Sequence, residues 1–283
     1  MIKKTVKKFL NITKEVYFIL EWFLYSIVYG KENSKISKIN DSVIVVGNGP
    51  SILNFDFQNA KDKGFEFLGV NYFALDEERF FNVRPKYYCI IDPFFYESNN
   101  REKYPNITKL ESVLKEVNWE LTLIILSGQI PNLSNNHVKY IRLNSNVYRG
   151  NLCNFKKYLY NHNLASFTYQ NVINAAMYYL ITAKAKLILL IGVENDWHRE
   201  LSVSSNNDVF RETRHFYGTE KINITEKGEI NRGELYKYFY WYYITLLSHL
   251  KASDYAKENN VKVYNCTLNS YIDVFEKRDW NSV

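Results

Sequence analysis

Side chains that can hydrogen-bond a nucleotide recur in this chain at one kind of place, the end of a short apolar run. The first is "VIVVGNGPS", residues 43–51, where Gly47, Asn48, Gly49, Pro50 and Ser51 follow consecutive β-branched residues. Gly47 and Gly49 permit backbone conformations closed to other residues and let a ligand come close. Asn48 carries a donor and an acceptor on one side chain. Pro50 fits the first turn of a helix, Ser51 can bond free backbone N–H groups there, and a helix N-terminus favours a phosphate. The stretch is neither G-x-G-x-x-G nor a P-loop, because no GK[ST] follows. A plain strand–helix turn would use fewer of these residues. Further along, Asn71 ends "FLGVN", Asp92 ends "YYCIID", and Gly192 with Glu194, Asn195 and Asp196 ends "LILLIGVEND". If these runs are parallel strands, all four ends lie along one rim, the edge at which open α/β sheets present their ligands.

The elements that must position these residues are legible as patterns. Strand candidates are 43–46, 66–70, 87–91, 121–126, 138–142, 187–191 and 261–264, several of them continuously apolar, as for strands covered on both faces. Helix candidates are 51–63, 74–81, 107–117, 151–161, 169–184 and 233–259. Their alternation predicts an α/β fold with a mainly parallel, Rossmann-like sheet flanked by helices. Residues 199–232 are polar and poor in pattern, and a segment that long inside a compact domain reads as a lid over a site. The last helix crowds Tyr236, Tyr238, Phe239, Tyr240, Trp241, Tyr242 and Tyr243 together. They cannot all face one core, so some are candidates for an acceptor groove, the alternative being packing on the sheet or on another subunit.

Bulk composition narrows the classes. The 283 residues carry 36 Lys and Arg against 30 Asp and Glu, a net charge of +6. That mild excess suits an anionic substrate or an anionic membrane surface and falls short of a nucleic-acid footprint. Cys89, Cys153 and Cys266 are widely spaced, with no CxxC pair and no zinc spacing, as expected of a reduced cytoplasmic protein. At the N-terminus, Lys3, Lys4, Lys7, Lys8 and Lys14 accompany the apolar run from Val16 to Gly30, which includes Glu21. The run is shorter than the roughly 20 residues of a membrane span. Lysines beside Phe18, Trp22, Phe23 and Tyr25 instead suit an amphipathic helix lying in the surface of an anionic bilayer. The alternative is a helix docked on the domain or in an oligomer. Residues 31–41 read as a linker. The expected organisation is therefore an N-terminal helix and linker over 1–40, then one domain over 41–283.

In order along the chain, "VIVVGNGPS", "GVNYF", "YYCIIDPFFYE", "LILLIGVE", "RHFYG" and "KVYNCTLNSYIDVF" resemble bacterial sialyltransferases of glycosyltransferase family 42, the CMP-sialic acid enzymes of Campylobacter type. Pterin-pyrophosphokinase-like proteins and flagellin nonulosonate transferase domains share the G-x-G-P-S opening. The resemblance spans about residues 42–275. It implies a single GT-A-like nucleotide-binding domain with a lid, inverting transfer from a CMP-activated sugar to a glycan or glycolipid hydroxyl, and no metal or other cofactor. On the matching positions, Asn48, Gly49 and Ser51 would hold phosphate and cytidine, and Asn71 would bond the nucleotide. Gln170 and Asn171 would open a helix facing the ribose, and Cys266, Asn269 and Ser270 would form a cytosine-side loop. Asp92 stands where the family has Asn, and Thr219 stands where it has its histidine base. Asp196, Trp197 and His198 replace one of two phosphate-binding tyrosines, and Tyr217 the other.

Such a transfer needs a base near neutral pKa and groups that stabilise a departing phosphate. His215, beside Arg211 and Arg214, supplies both kinds, and His198 beside Trp197 is the second candidate base. His137, His162 and His249 read as structural. Two further readings stand beside transfer from a CMP-sugar to a bacterial surface glycan at the inner membrane. One is an ATP-dependent diphosphokinase-like reaction, with Asp92, Glu194 and Asp196 on Mg²⁺. The other is a non-catalytic nucleotide-sugar-binding subunit.

Overall fold

The structure, a computed structural model, describes residues 2–29, 33–216 and 218–283, with the side chains of residues 2–8, Tyr29 and Arg214 outside that description. A long helix α1 (Ile2–Tyr29) precedes β1 (Ser42–Val46), α2 (Phe57–Asp62), β2 (Glu66–Val70), α3 (Glu77–Val83), β3 (Tyr87–Cys89), α4 (Ser98–Lys103), α5 (Pro105–Lys115), β4 (Leu121–Leu126) and β5 (Val138–Leu143). Then come α6 (Cys153–Asn161), α7 (Val172–Thr182), β6 (Leu187–Ile191), β7 (Leu201–Val203), β8 (Val209–His215), β9 (Gly218–Asn223), α8 (Leu235–Glu258), β10 (Lys262–Asn265) and β11 (Glu276–Lys277).

The main sheet has 8 strands in the order β11-β10-β6-β1-β2-β3-β4-β5, and every pairing in it is parallel. The mainly parallel sheet expected from the strand patterns is therefore present. Strand residues alternate between two cores. Val43 and Val45 face a core completed by α6, α7 and α8, while Ile44 and Val46 face one completed by α2, α3 and α5. Burial on both faces is why β1 and β6 read as unbroken apolar runs. Chain order reverses between β1 and β6, and that switch point opens a crevice at the carboxyl ends of the strands.

Three local features depart from the patterns. The helix expected over 51–63 is a 3-10 turn (Pro50–Asn54) followed by α2, because Phe55 is extended and Asp56 starts a new helix by accepting from the Asn59 N–H at 2.9 Å. Asp76 does the same for α3 through the Arg79 N–H, so the helix expected from residue 74 begins at Glu77. The segment 199–232 carries a second sheet, β7-β8-β9, antiparallel throughout, with Val209, Ile224, Ile230 and Tyr238 as its own small core.

Helix α1 is docked along one side and open along the other. Phe18, Ile19 and Trp22 pack on the domain, the Trp22 indole N–H donates to the Leu164 carbonyl at 3.1 Å, and Glu15 accepts from the Asn151 N–H. Leu10, Val16, Leu20, Phe23, Leu24 and Ile27 are exposed. Residues 33–41 run on the domain surface, tied by Ser34 N–H to the Arg142 carbonyl and Ile39 N–H to the Ala183 carbonyl. No helix of the described residues is long and apolar enough to cross a membrane.

Candidate functional site

The switch-point crevice is a cleft of about 650 Å³. Its floor is made by two glycine turns that lie back to back. The Gly47 N–H donates to the Ile191 carbonyl and the Gly49 N–H to the Gly192 carbonyl. A Cβ on residue 47 would stand 2.1 Å from the Gly192 oxygen, so only glycine allows this approach. Glu194 crosses the seam. One carboxylate oxygen accepts from the Ser51 N–H at 2.8 Å, and the other presses on Gly49, 1.5 Å from where a Cβ would be.

That contact corrects one expectation. The amide at the start of the 50–54 turn, read as open to a phosphate, is occupied by the protein's own carboxylate. Pro50 and Ser51 are exposed and do not line the cleft.

Gly47, Asn48, Gly49, Asn71, Asp92, Gln170, Asn171, Gly192 and Glu194 all line this one cleft. Asn71 is held in the left-handed region at φ 46°. The Tyr88 hydroxyl fixes its carbonyl at 2.6 Å. Asp92 caps the following turn by accepting from the Phe94 N–H at 3.0 Å. Asn171 caps α7, accepting from the Asn174 N–H at 2.9 Å, while the Asn174 side chain accepts from the Asn171 N–H. The Asn174 amide nitrogen lies 3.2 Å from His249 Nδ1, so a fully buried histidine on α8 steadies the helix start that faces the cleft.

Other expected site residues lie elsewhere. Ser270 is buried, its hydroxyl donating to the Val193 carbonyl and accepting from the Ile272 N–H, which makes it a brace of the 193–194 turn. Asn269 is exposed and away from the cleft. His198 is packed against the Tyr271 ring at 4.4 Å and the Tyr242 ring at 5.6 Å and does not line the cleft. Burial against rings, the reason a lone histidine next to Trp197 is a weak signal, is where it ends. Tyr217 and the Arg214 side chain fall outside the described residues. Trp197 lines the cleft, and so do Tyr169, Glu200 and Ile272, to which no motif pointed. Glu200 comes soon after the end of β6, so strand-end proximity was its one available signal.

His215 lines the cleft at the turn between β8 and β9. Its ring bonds the Asn48 carbonyl, which also accepts from the Phe216 N–H at 3.0 Å. Burial lowers its pKa below the usual imidazole value of 6.5, the Arg211 charge adds to that, and the Asn48 bond and Glu220 oppose it. The ring is therefore neutral at pH 7. Because it donates one N–H to a carbonyl, its other nitrogen carries the lone pair, the form a general base needs. Arg211 is engaged by Glu229 at 3.1 Å.

Polarity inside the cleft is distinctive. Asn48 Oδ1, Asn71 Oδ1 and Glu194 Oε2 are buried with no hydrogen-bond partner among the described residues. All three are acceptors, so any group that pairs with them must bring a donor. Asp92, Glu194, Asp196 and Glu200 make the lining acidic, and no lysine or arginine is among the described lining residues. Among the described residues no group of three His, Cys, Asp or Glu side chains is placed to hold a metal ion.

No family model matches the chain, and no curated protein matches it. Among solved structures, two complexes of a sialyltransferase are similar to it in arrangement. One is the sialyltransferase CstII from Campylobacter jejuni in complex with the substrate analogue CMP-3FNeuAc, at 15% identity and a TM-score of 0.40, over 84% of this chain and 85% of that one. Another is CstII in complex with cytidine-5'-monophosphate, at 14% identity and a TM-score of 0.42, over 87% of this chain and 85% of that one.

Proposed function

We propose that the chain is a CMP-sugar-dependent inverting glycosyltransferase that moves sialic acid or a related nonulosonate onto a bacterial surface glycan. The observation that carries the reading is that Asn48, Asn71 and Glu194, whose Oδ1, Oδ1 and Oε2 atoms are buried acceptors without a partner among the described residues, line one cleft at the switch point of a parallel sheet. Ribose hydroxyls and the cytosine amine would satisfy them. Carboxylates such as Asp92 and Glu200 also suit the hydroxyls of a sugar. Neutral His215 takes the proton of the acceptor hydroxyl as its oxygen forms a bond to the anomeric carbon, and the carbon–phosphate oxygen bond breaks with its electrons leaving on CMP. Attack on the face opposite the leaving group inverts the centre. No metal is required in this scheme.

The acidic lining favours one competing reading, an ATP-dependent diphosphokinase-like transfer in which carboxylates gather on Mg²⁺ during catalysis. Thermal shifts separate the two. CMP without metal is expected to raise the melting temperature by several degrees, since a hundredfold excess over Kd is worth about 2.7 kcal/mol. A shift produced by ATP with Mg²⁺ and not by CMP would overturn the CMP reading. CMP binding without release of CMP from a donor sugar would leave a non-catalytic binding subunit.

Within the same proposal the enzyme works in the cytoplasm, held on the inner membrane by α1. The exposed apolar side of that helix and its lysines, with Lys3, Lys4, Lys7 and Lys8 outside the described side chains, suit an anionic bilayer. The protein should float with vesicles containing phosphatidylglycerol and release at high salt. Equal flotation of a Leu20→Glu, Phe23→Glu, Ile27→Glu variant would remove α1 from that role.

A further inference from the structure

A second cavity, of about 420 Å³, lies where α1 meets the carboxyl ends of β4 and β5. One wall is Trp22, Phe23 and Ile27 of α1, and the other is Ser127, Asn144, Ser145 and Asn146, with Asn33 closing one side. It is a neighbour of the nucleotide cleft along the same sheet edge, since Leu126 lines the cleft and the next residue, Ser127, lines this cavity. The two walls differ in kind. Asn146 is spent on α1 itself, its amide donating to the Ser26 hydroxyl at 2.9 Å and the Trp22 carbonyl at 3.2 Å. Asn144 donates to the Leu164 carbonyl at 2.9 Å. Asn33 lines the cavity, and its Oδ1 is buried with no partner among the described residues. Phe23 and Ile27, which form part of the apolar wall, continue onto the exposed outer side of α1.

A cavity with a hydroxyl-accepting polar end that opens onto an exposed apolar strip fits an amphipathic ligand with a sugar at one end. We propose that this cavity binds the saccharide headgroup of a lipid-linked acceptor, with the hydrocarbon lying against Phe23 and Ile27 and the glycan running along the sheet edge toward the cleft. The role as acceptor site rests on the transferase reading, but the binding of an alkyl saccharide does not.

The probe is octyl β-glucoside below its critical micelle concentration, titrated calorimetrically into the full chain, with glucose and octanol as separate titrants. Saturable binding of the glucoside, tighter than either half alone, is expected. Ser145 is exposed at the mouth, so Ser145→Trp fills the cavity from outside and should weaken binding at least tenfold with the melting temperature and CMP binding unchanged. Asn33→Leu removes the unpartnered acceptor. It should weaken the glucoside by about tenfold, the loss of one hydrogen bond, with thermal stability equal to or above that of the parent. No saturable glucoside binding, octanol binding as well as the glucoside, or full affinity in both variants would overturn the proposal. CMP binding lost while glucoside binding persists would instead count against the transferase reading and leave this site standing.

Discussion

Replacing His215 with alanine is expected to lower turnover about 10²–10⁴-fold, the range that a positioned general base contributes, while CMP binds nearly as before. The split follows from the geometry. The ring stands on the Asn48 carbonyl at the cleft wall, and the Phe216 N–H bonds the same oxygen, so the hairpin keeps a tie to the 47–51 loop when the imidazole is removed. The same geometry sets the pH dependence. The proposed transfer uses the neutral ring as base, so kcat/KM should rise with pH through the ring's pKa and then level. Burial, helped by Arg211, holds that pKa below 6.5. The acid limb should therefore have its midpoint below 6.5 and be absent in His215→Ala. Undiminished turnover in the variant, or a limb centred above 6.5 in the parent, would show that another group takes the proton.

Acidification should destabilise the whole fold through a different histidine. His249 is fully buried on α8, and burial pushes its pKa down from 6.5 to about 3. The unfolded chain therefore binds a proton near pH 6.5 that the folded chain refuses. Its contribution is intact above pH 6.5 and is lost progressively as pH falls toward 3, by about 1.4 kcal/mol per pH unit inside that window. The amide of Asn174 fixes the neutral form. Its oxygen is held by the Asn171 N–H, so its nitrogen must donate to His249 Nδ1. His249→Gln keeps an acceptor and cannot titrate. Urea midpoints compared at pH 7.5 and 4.5 should fall markedly less in the variant than in the parent. Identical falls would place the acid sensitivity elsewhere.

The parts legible in the sequence are those set by local pattern. β1 and β6 announce themselves because strands covered on both faces admit little but apolar residues, and the glycines at 47, 49 and 192 mark turns that must approach each other. The rim itself followed from chain alternation, since parallel strands put Asn48, Asn71, Asp92 and Glu194 at one edge. What stayed hidden depends on pairing across distance. The β8–β9 hairpin looks like a patternless segment because β9 is exposed over most of its length and offers no apolar alternation. Ser51 and Glu194 are 143 residues apart, so nothing local says that a carboxylate takes the amide that the sequence leaves open to a phosphate. Ser270, read at a nucleotide loop, turned inward because the 193–194 turn has a carbonyl to satisfy. For α1, an apolar run beside lysines could not say which side docks, since Trp22 and Phe23 are adjacent residues with opposite fates.

The glycine seam between residues 47 and 192 has a mechanical consequence. With a carbonyl where a side chain would otherwise stand and Glu194 bolted across to Ser51, the two strand ends move as one plate or not at all. The opposite boundary is the β8–β9 hairpin, which meets that plate at the Asn48 carbonyl and sets Phe216 against Phe73 and Arg79. The enclosure thus has a floor locked by backbone contacts and a wall held by one shared carbonyl and one aromatic ring.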